Sequence, residues 1–346
     1  MLEQKDIFVS GTSGYHTFRI PSLIAAKNGA LLAFCEGRRD GTSDTGTIEI
    51  LLRRSQDGGD NWSPIECVWA DPQNTCGNPC PVVDETTGMI SLLMTHNLGD
   101  DVESKIIDGT SKGTRTVRLS QSIDQGHTWS TPTDITSTTK KENWTWYATG
   151  PGAGIQIKTG RLVIPCDHIE AVSKKYYSHV ILSDDGGLSW YLGGTTPNDQ
   201  VNECEVAELP NGTLLLNMRN YDRKQRTRAY SYSEDGGHTW SNLTHHPELI
   251  EPICQASMRR ISVENLNYLL FSNPANRESR ADMTVRLSSD DGQTWSHSRL
   301  LHKGPAAYSC LHSTDQGEGY CLYECGQNNP YESIRLAHFD LTWLKT

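Results

Sequence analysis

The feature that most constrains the fold is an eight-residue pattern, Ser-x-Asp-x-Gly-x-x-Trp, that occurs five times in the 346 residues. Its aspartates follow one another at intervals of 67, 61, 50 and 55 residues: Asp57, Asp124, Asp185, Asp235 and Asp290. Five matches at four fixed positions indicate a true internal repeat. Intervals of this length are typical of the four-stranded blades of a β-propeller.

Each copy of this eight-residue pattern is called a box below, and its residues suit a tight turn between two strands. The aspartate can accept hydrogen bonds from backbone N–H groups of the turn, the glycine permits positive φ, and the tryptophan can pack beneath it. A run of residues that favour strands precedes each box, for example residues 48–53 and 177–182. A calcium loop would need more oxygen ligands at alternate positions. The boxes are therefore interpreted as structural.

The five boxes and the segment that follows them predict an all-β chain built as a six-bladed β-propeller. The segment from Gly304 to Thr346 contains no box and is expected to form the last blade by pairing with the N-terminal strand. No linker or low-complexity tract divides the chain, so residues 1–346 are predicted to form one domain. The polar insertion from His96 to Gly113 is predicted to be a loop that overhangs one face.

The composition excludes several classes of function. A net charge of −11 without a basic run argues against nucleic acid as a partner. No stretch of 18 apolar residues predicts a transmembrane helix. Residues 1–10 have no apolar segment that would predict a signal peptide, and the ten cysteines are expected to be mostly buried free thiols. These features predict a cytoplasmic location, or a secreted one if a leader has been removed.

The tetrapeptide Phe18-Arg19-Ile20-Pro21 places an arginine among apolar residues. A buried guanidinium needs an anionic partner, whereas an arginine at a strand edge can keep its guanidinium group exposed to water. Together with the boxes, this tetrapeptide resembles the exo-α-sialidases of bacteria and animals. Residues 146–152, 202–208 and 321–324 resemble the cytosolic, non-viral branch. The resemblance implies a propeller that removes terminal sialic acid with retention of configuration.

The resemblance implies three arginines that bind the carboxylate of sialic acid: Arg19, Arg219 and Arg280. Guanidinium groups suit this role because they can bind a carboxylate with two parallel hydrogen bonds. Arg277 lies close to Arg280 in the sequence, but the spacing ahead of the strand at Thr284 favours Arg280. Glu324 resembles the family glutamate that orients the first arginine and would be the partner that Arg19 requires.

The resemblance also implies a tyrosine nucleophile, Tyr308, and a glutamate base, Glu203. A neutral phenol avoids the repulsion that a carboxylate nucleophile would meet from the substrate's carboxylate, but its high pKa requires a neighbouring base. Glu205 and Glu208 are expected to be structural or to support the site indirectly. Cys310 departs from the family pattern, which commonly has aspartate there.

Asp44 is the candidate acid/base, in a loop after the second strand, with Asp40 as the second candidate. Arg38 or Arg39 is expected nearby, in contact with substituents of the sugar ring. Trp146 and Tyr147 are expected either to line the sugar pocket or to pack in the core.

The predicted partners are sialylated oligosaccharides, glycoproteins or glycolipids. No cofactor is implied, and the twelve histidines lack the spacing of a catalytic metal site. Three further functions are compatible with the sequence: a sialic-acid-binding propeller without catalysis, a trans-sialidase, and a hydrolase of a related nonulosonic acid. An interaction-only propeller of another family would share the boxes but not the site residues.

Overall fold

The computed structural model describes residues 1–263 and 266–346, and over these residues the chain is all-β, as predicted. The described part contains 24 strands and three short helices. The first twelve strands are β1 Leu2–Val9, β2 Thr17–Ala25, β3 Leu31–Arg38, β4 Ile48–Ser55, β5 Glu66–Trp69, β6 Thr75–Val83, β7 Ile90–Asn97, β8 Thr116–Ser122, β9 Thr133–Asp134, β10 Trp144–Thr149, β11 Ile155–Gln156 and β12 Leu162–Glu170. The remaining strands are β13 Tyr176–Ser183, β14 Tyr191–Thr195, β15 Val201–Glu208, β16 Leu214–Asn220, β17 Thr227–Ser233, β18 Thr244–Ile250, β19 Ser257–Val263, β20 Leu266–Pro274, β21 Ala281–Ser288, β22 His297–Ser313, β23 Glu318–Cys325 and β24 Ser333–Asp340. The helices are α1 Glu103–Asp108, α2 Thr136–Thr139 and α3 Leu341–Lys345.

Antiparallel pairing between successive strands arranges the sheets in groups of four. Group 1 contains β2–β5, group 2 contains β6–β9, group 3 contains β10 and β12–β14 with β11 beside β12, and group 4 contains β15–β18. Group 5 contains β19–β21 and the first part of β22, and group 6 contains the rest of β22, β23, β24 and β1. The predicted pairing of the N-terminal strand with the C-terminal segment is confirmed, since β1 pairs with β24.

The leading strands of the groups contact one another in a closed succession. Strand β2 contacts β6, which contacts β10; β12 of the same group contacts β15, β15 contacts β19, β19 contacts β22, and β22 contacts β2. The apolar core lies in layers between neighbouring groups. Leu93 and Ile164 share a cluster between groups 2 and 3, and Val180 and Val206 share one between groups 3 and 4.

Each box forms the turn between the third and fourth strands of groups 1–5, in agreement with its structural interpretation. In the box of group 2, Asp124 Oδ1 accepts hydrogen bonds from Ser122 Oγ and from Thr128 N, both at 2.8 Å. Ser122 Oγ in turn accepts a hydrogen bond from Gly126 N at 2.8 Å, where φ is +83°. The polar groups of the turn thus form hydrogen bonds with one another, so the backbone groups of the flanking strands remain available to pair with each other.

In the described residues no helix is long and apolar enough to cross a membrane. All ten cysteines are free; nine are buried and Cys67 is exposed. The expectation of mostly buried free thiols is therefore confirmed, whereas the cytoplasmic location stays a prediction.

Candidate active site

A cavity of about 290 Å³ is lined by almost all of the predicted site residues. Seven of the eight line it: Arg19, Arg38, Asp44, Glu203, Arg219, Arg280 and Tyr308. The eighth, Glu324, is fully buried directly behind the cavity wall. These residues come from strands or adjoining loops of groups 1, 4, 5 and 6, so the fold brings together positions up to 305 residues apart.

Arg19 is fixed by Glu324, as the sequence predicts. Glu324 Oε1 accepts hydrogen bonds from Arg19 Nε at 2.7 Å and from the backbone N–H of Ile20 at 2.9 Å. Its other oxygen accepts the backbone N–H of Tyr308 at 3.1 Å. One buried carboxylate therefore positions both an arginine of the cavity and the candidate nucleophile. Burial disfavours the charge on Arg19, but the neighbouring carboxylate of Glu324 outweighs this and raises the pKa of the guanidinium.

The backbone next to Arg19 is strained. Ile20 has φ of +59°, a left-handed conformation that is rare for a β-branched residue. The pairing of β2 with β3 is also irregular between Arg19 and Ser22. Such strain clusters at functional sites, and the hydrogen bond from Ile20 N to Glu324 holds this conformation in place.

Three guanidinium groups converge on Tyr308. The guanidinium carbons of Arg19 and Arg280 lie 5.1 and 5.5 Å from the centre of the Tyr308 ring, and Arg219 Nη1 donates to Tyr308 Oη at 3.1 Å. Arg280 also donates to Tyr331 Oη at 2.9 Å, and over the described residues it forms no ion pair. The cavity thus holds positive charge that is available to an anion.

Tyr308 and Glu203 are in direct contact. The phenol of Tyr308 donates to Glu203 Oε1, and Glu203 Oε2 accepts from Arg219 Nη1 at 2.6 Å. Burial and the negative charge of Glu203 raise the pKa of Tyr308 far above its usual value. The phenol is therefore neutral at rest, and Glu203 is the group placed to take its proton.

Asp44 lies at the mouth of the cavity, with 52% of its side chain exposed. Its Oδ1 is 2.7 Å from Arg38 Nη2 and 4.0 Å from Arg19 Nη1. Partial burial favours the neutral carboxyl, but the charges of Arg38 and Arg19 outweigh it and lower the pKa of Asp44. Asp40 is exposed and is not among the residues that line the cavity.

Arg38 lines the cavity but is also tied into the protein. It is 2% exposed and binds Glu36 Oε2 through Nε at 3.0 Å and Nη2 at 2.6 Å, while Nη1 donates to the carbonyl oxygen of Thr42. Arg39, its neighbour in the sequence, instead pairs with Glu49, and 39% of its side chain is exposed. Arg38 is thus the arginine that accompanies Asp44.

The structure separates the residues that line the cavity from those that pack in the core. Trp146 lines the cavity, whereas Tyr147 is fully buried in the core and donates to the carbonyl oxygen of Thr139. Glu205 is buried outside the cavity lining and accepts from Ser257 Oγ and Met258 N, which makes it structural. Cys310 is buried, and its sulfur accepts the backbone N–H of Leu23.

Further polar residues outside the motifs named above line the cavity: Glu103, Arg115, Asp167, Tyr221 and Tyr331. Asn202, the first residue of segment 202–208, also lines it, although the sequence predicts no role for it. Glu103 begins helix α1, in the insertion that the sequence predicts to overhang one face. The sequence around Asp167 carries a signal, since this acidic residue directly follows the apolar run Leu162 to Cys166 on a strand. Over the described residues, no cluster of three histidine, cysteine, aspartate or glutamate side chains could hold a metal ion.

Comparison with known proteins identifies the family. Residues 29–321 match the family described as a BNR repeat-like domain. A sialidase of Micromonospora viridifaciens is 32% identical over 99% of this chain and 54% of its own length, so the chain spans about half of that relative. An exo-alpha-sialidase of Aspergillus fumigatus is 30% identical over 96% of this chain and 86% of its own length. The solved structure of the Hadza microbial sialidase Hz136 superposes with a TM-score of 0.90 at 30% identity, covering 99% of this chain and 69% of that one. The chain therefore belongs to the sialidase family.

Proposed function

We propose that the protein is a retaining exo-α-sialidase that hydrolyses terminal sialic acid from oligosaccharides, glycoproteins or glycolipids through a covalent tyrosyl intermediate. The observation that carries the proposal is the contact of the Tyr308 phenol with Glu203 inside a ring of three arginines. A tyrosine paired with a base suits a substrate whose reacting carbon bears its own carboxylate.

Binding begins with the substrate's carboxylate. Arg19, Arg219 and Arg280 surround the space over the Tyr308 ring and have donors to bind both carboxylate oxygens. This places the anomeric carbon above Tyr308 Oη. Burial of Arg19 and the partial burial of Arg219 and Arg280 strengthen the attraction, because less water is present to screen it.

In the first chemical step, Glu203 accepts the proton of Tyr308 while the phenolate oxygen attacks the anomeric carbon. Asp44 donates a proton to the departing glycosidic oxygen. The low pKa of Asp44 in the free protein requires that substrate binding raise it, and the substrate's carboxylate does this by offsetting the charge of Arg19, which lies 4.0 Å from Asp44. Each proton transfer of this kind typically contributes about 100- to 10,000-fold.

In the second step, Asp44 accepts a proton from water, which attacks the same carbon and releases the sugar from Tyr308. The phenolate recovers its proton from Glu203. Two inversions at one carbon give net retention of configuration.

We further propose that the six strand groups are the six blades of a single propeller domain over residues 1–346. Two observations support this: the closed succession of contacts between leading strands, and the position of the five boxes at the same turn of successive groups. The cavity then lies at one end of the central axis, where the leading strands converge.

A fluorogenic sialoside tests the proposal. We expect the parent to release the fluorophore, with severe loss of activity in Asp44→Ala, whereas Asp40→Ala serves as the matched control and retains activity because Asp40 lies outside the cavity lining. Proton NMR of the first product should show the α-anomer of the free sugar.

A parent that binds sialic acid without releasing the fluorophore between pH 4 and 8 would replace the proposal with a binding protein. Transfer of the sugar to added lactose in preference to water would identify a trans-sialidase. Equal loss of activity in Asp44→Ala and Asp40→Ala would contradict the assignment of Asp44 as the acid/base.

A further inference from the structure

Tyr331 lines the cavity and contacts two of the three arginines that we call the carboxylate clamp, Arg19, Arg219 and Arg280. It lies in the turn between β23 and β24. The centre of its ring is 4.1 Å from the guanidinium carbon of Arg19, and its hydroxyl oxygen accepts a hydrogen bond from Arg280 Nη1 at 2.9 Å. Nothing in the reaction proposed above uses Tyr331.

The contact with Arg280 differs from the contacts that hold the other two arginines. Those two are paired with carboxylates of the protein, Arg19 with Glu324 at 2.7 Å and Arg219 with Glu203 at 2.6 Å. Within the described part of the chain, the side chain of Arg280 donates a hydrogen bond only to Tyr331. A neutral hydroxyl orients a guanidinium group but leaves its charge uncompensated, whereas a carboxylate in that place would compete with an anionic ligand.

The ring of Tyr331 restrains Arg19 in another way. The guanidinium carbon of Arg19 lies 4.1 Å from the centre of the Tyr331 ring and 5.1 Å from that of Tyr308. A guanidinium group donates hydrogen bonds in its own plane, so an aromatic ring against its face attracts the charge without occupying a donor. The donors of Arg19 that Glu324 does not bind therefore remain available to a ligand.

Tyr331 is itself fixed by the protein. Its carbonyl oxygen accepts a hydrogen bond from Ser10 Oγ at 2.7 Å, and its backbone N–H donates to Asn329 Oδ1 at 2.9 Å. Its side chain packs against the buried cluster that contains Ile20 and Tyr308. Because both its backbone and its ring are held, Tyr331 can restrain the arginines that it contacts.

We propose that Tyr331 is a positioning residue of the carboxylate clamp, which orients Arg280 through its hydroxyl and Arg19 through its ring. It acts on the ligand through these arginines, because it restrains them without neutralising their charge. The proposal rests on the function proposed above, in which the ligand of the clamp is the carboxylate of sialic acid.

A pair of ligands without a leaving group isolates the clamp from the chemical step. One is the 2,3-unsaturated analogue of sialic acid, and the other is the same compound with a carboxamide in place of its carboxylate. The carboxamide carries no charge, so the ratio of the two dissociation constants measures the preference for the carboxylate. Calorimetric titration of the parent should show a strong preference for the carboxylate.

Two substitutions separate the hydroxyl from the ring. Tyr331→Phe removes only the acceptor of Arg280 and should lower the preference for the carboxylate by about 10-fold, the value of one net hydrogen bond. Tyr331→Leu also removes the ring and should lower it by about 3-fold more. Tyr331→Phe keeps the packing of the ring, so it tests the hydroxyl even where Tyr331→Leu does not fold. Thermal unfolding establishes that each variant is folded.

Hydrolysis of a fluorogenic sialoside supplies a second readout. Tyr331→Phe should raise KM by about 10-fold and change kcat by less than about 3-fold, because it leaves the nucleophile, the base and the acid/base in place. Tyr320→Phe, outside the cavity lining, is the matched control and should change neither the ligand preference nor KM.

The outcomes distinguish this inference from the function on which it rests. If the parent neither prefers the carboxylate ligand nor hydrolyses the sialoside, the proposed function is wrong and the inference falls with it. If the parent does both and folded Tyr331→Phe keeps the parental preference, the role of Tyr331 is overturned while the sialidase activity stands. Equal weakening of both ligands would also overturn it, because Tyr331 would then shape the cavity without acting through the clamp.

Discussion

The turn boxes and the cavity both contain aspartates, but these aspartates differ in how their carboxyl oxygens are hydrogen-bonded. In the box of group 4, Asp235 accepts hydrogen bonds from Ser233 Oγ at 2.8 Å and from the backbone N–H of Thr239 at 2.9 Å. In the cavity, Asp167 accepts none among the described residues, and Asp44 is held only by arginines. The boxes lie at the turns of five groups, whereas the cavity is lined by residues of several leading strands, among them β2, β10, β15 and β22.

The difference shows how one residue type can serve stability and chemistry in the same chain. An aspartate whose hydrogen bonds are satisfied locally has a low pKa and stabilises a turn. A buried aspartate without partners destabilises the protein but keeps its hydrogen bonds for a ligand. We therefore expect substitutions in the boxes to change stability and those in the cavity to change activity.

The largest effect is expected from Tyr308→Phe, which removes the nucleophilic oxygen. We expect kcat to fall by at least about 1,000-fold, with little change in the unfolding temperature, since the ring remains packed. Tyr320→Phe, on β23 outside the cavity lining, is the matched control and should keep full activity. Retention of more than a tenth of kcat in Tyr308→Phe would mean that another group attacks the sugar.

Glu324→Gln should change both activity and stability, because Glu324 supports the cavity from behind. The substitution preserves size but removes the negative charge that Arg19 Nε contacts at 2.7 Å. We expect kcat/KM to fall by about 100-fold, mainly through KM, and the free energy of unfolding to fall by about 2–3 kcal/mol. Steady-state kinetics and urea denaturation measure the two effects. Glu318→Gln, a half-exposed residue of the same strand, should alter neither; an equally large loss there would remove the special role of Glu324.

Ser183→Ala should affect stability alone. Ser183 Oγ donates to Asp185 Oδ1 and accepts from Gly187 N, each at 2.8 Å, within the box of group 3. Loss of this buried hydroxyl should lower the free energy of unfolding by about 1–2 kcal/mol and leave kcat/KM unchanged. The exposed Ser298→Ala is the control. A fall in kcat/KM at a temperature where Ser183→Ala is fully folded would contradict the separation of the two regions.

The smallest effect is a dependence of stability on pH that the boxes produce. Hydrogen bonds from Asn61 and Ser55 lower the pKa of Asp57 to about 2. Burial raises the pKa of Asp235, but hydrogen bonds from Thr239 and Ser233 outweigh it and bring it to about 2. Both values lie below the value of about 3.9 for an unfolded aspartate. The stabilisation is therefore present above about pH 4 and is lost as pH falls towards 2.

Urea denaturation at pH 5, 4 and 3 measures this dependence. The double variant Asp57→Asn with Asp235→Asn should be less stable at pH 5 and should lose less stability between pH 5 and 3 than the parent. An equal loss of stability in both proteins between pH 5 and 3 would show that other carboxyl groups cause the fall in stability at acid pH.

The sequence predicts the repeated part of the fold well because its signal is local. The turn, its aspartate and its glycine lie within eight residues, so the boxes can be recognised without knowing the tertiary structure. The boundaries of the groups are harder to predict, because β22 continues through 17 residues from one group into the next without a turn.

The site is predictable only in part, for a related reason. Arg19 and Glu324 are matched through motifs around each of them, and their pairing across 305 positions follows from the resemblance. Asp167 and Arg115 lie outside these motifs, and Asn202 lies in segment 202–208 only as the neighbour of Glu203. The unpaired atoms of all three become visible only once neighbouring groups are packed together. Arg38 illustrates the limit, since the sequence indicates its position near Asp44 but not its pairing with Glu36.

The central claim is that Tyr308 attacks the anomeric carbon of sialic acid. A sialic acid derivative with fluorine at carbons 2 and 3 tests it most directly, since fluoride at carbon 2 leaves readily and fluorine at carbon 3 slows release of the covalent intermediate. Peptide mass spectrometry after brief incubation should find the fluorinated sugar on Tyr308 and on no other residue. An adduct on Glu203 or Asp44, or rapid turnover of the reagent without any adduct, would contradict the account.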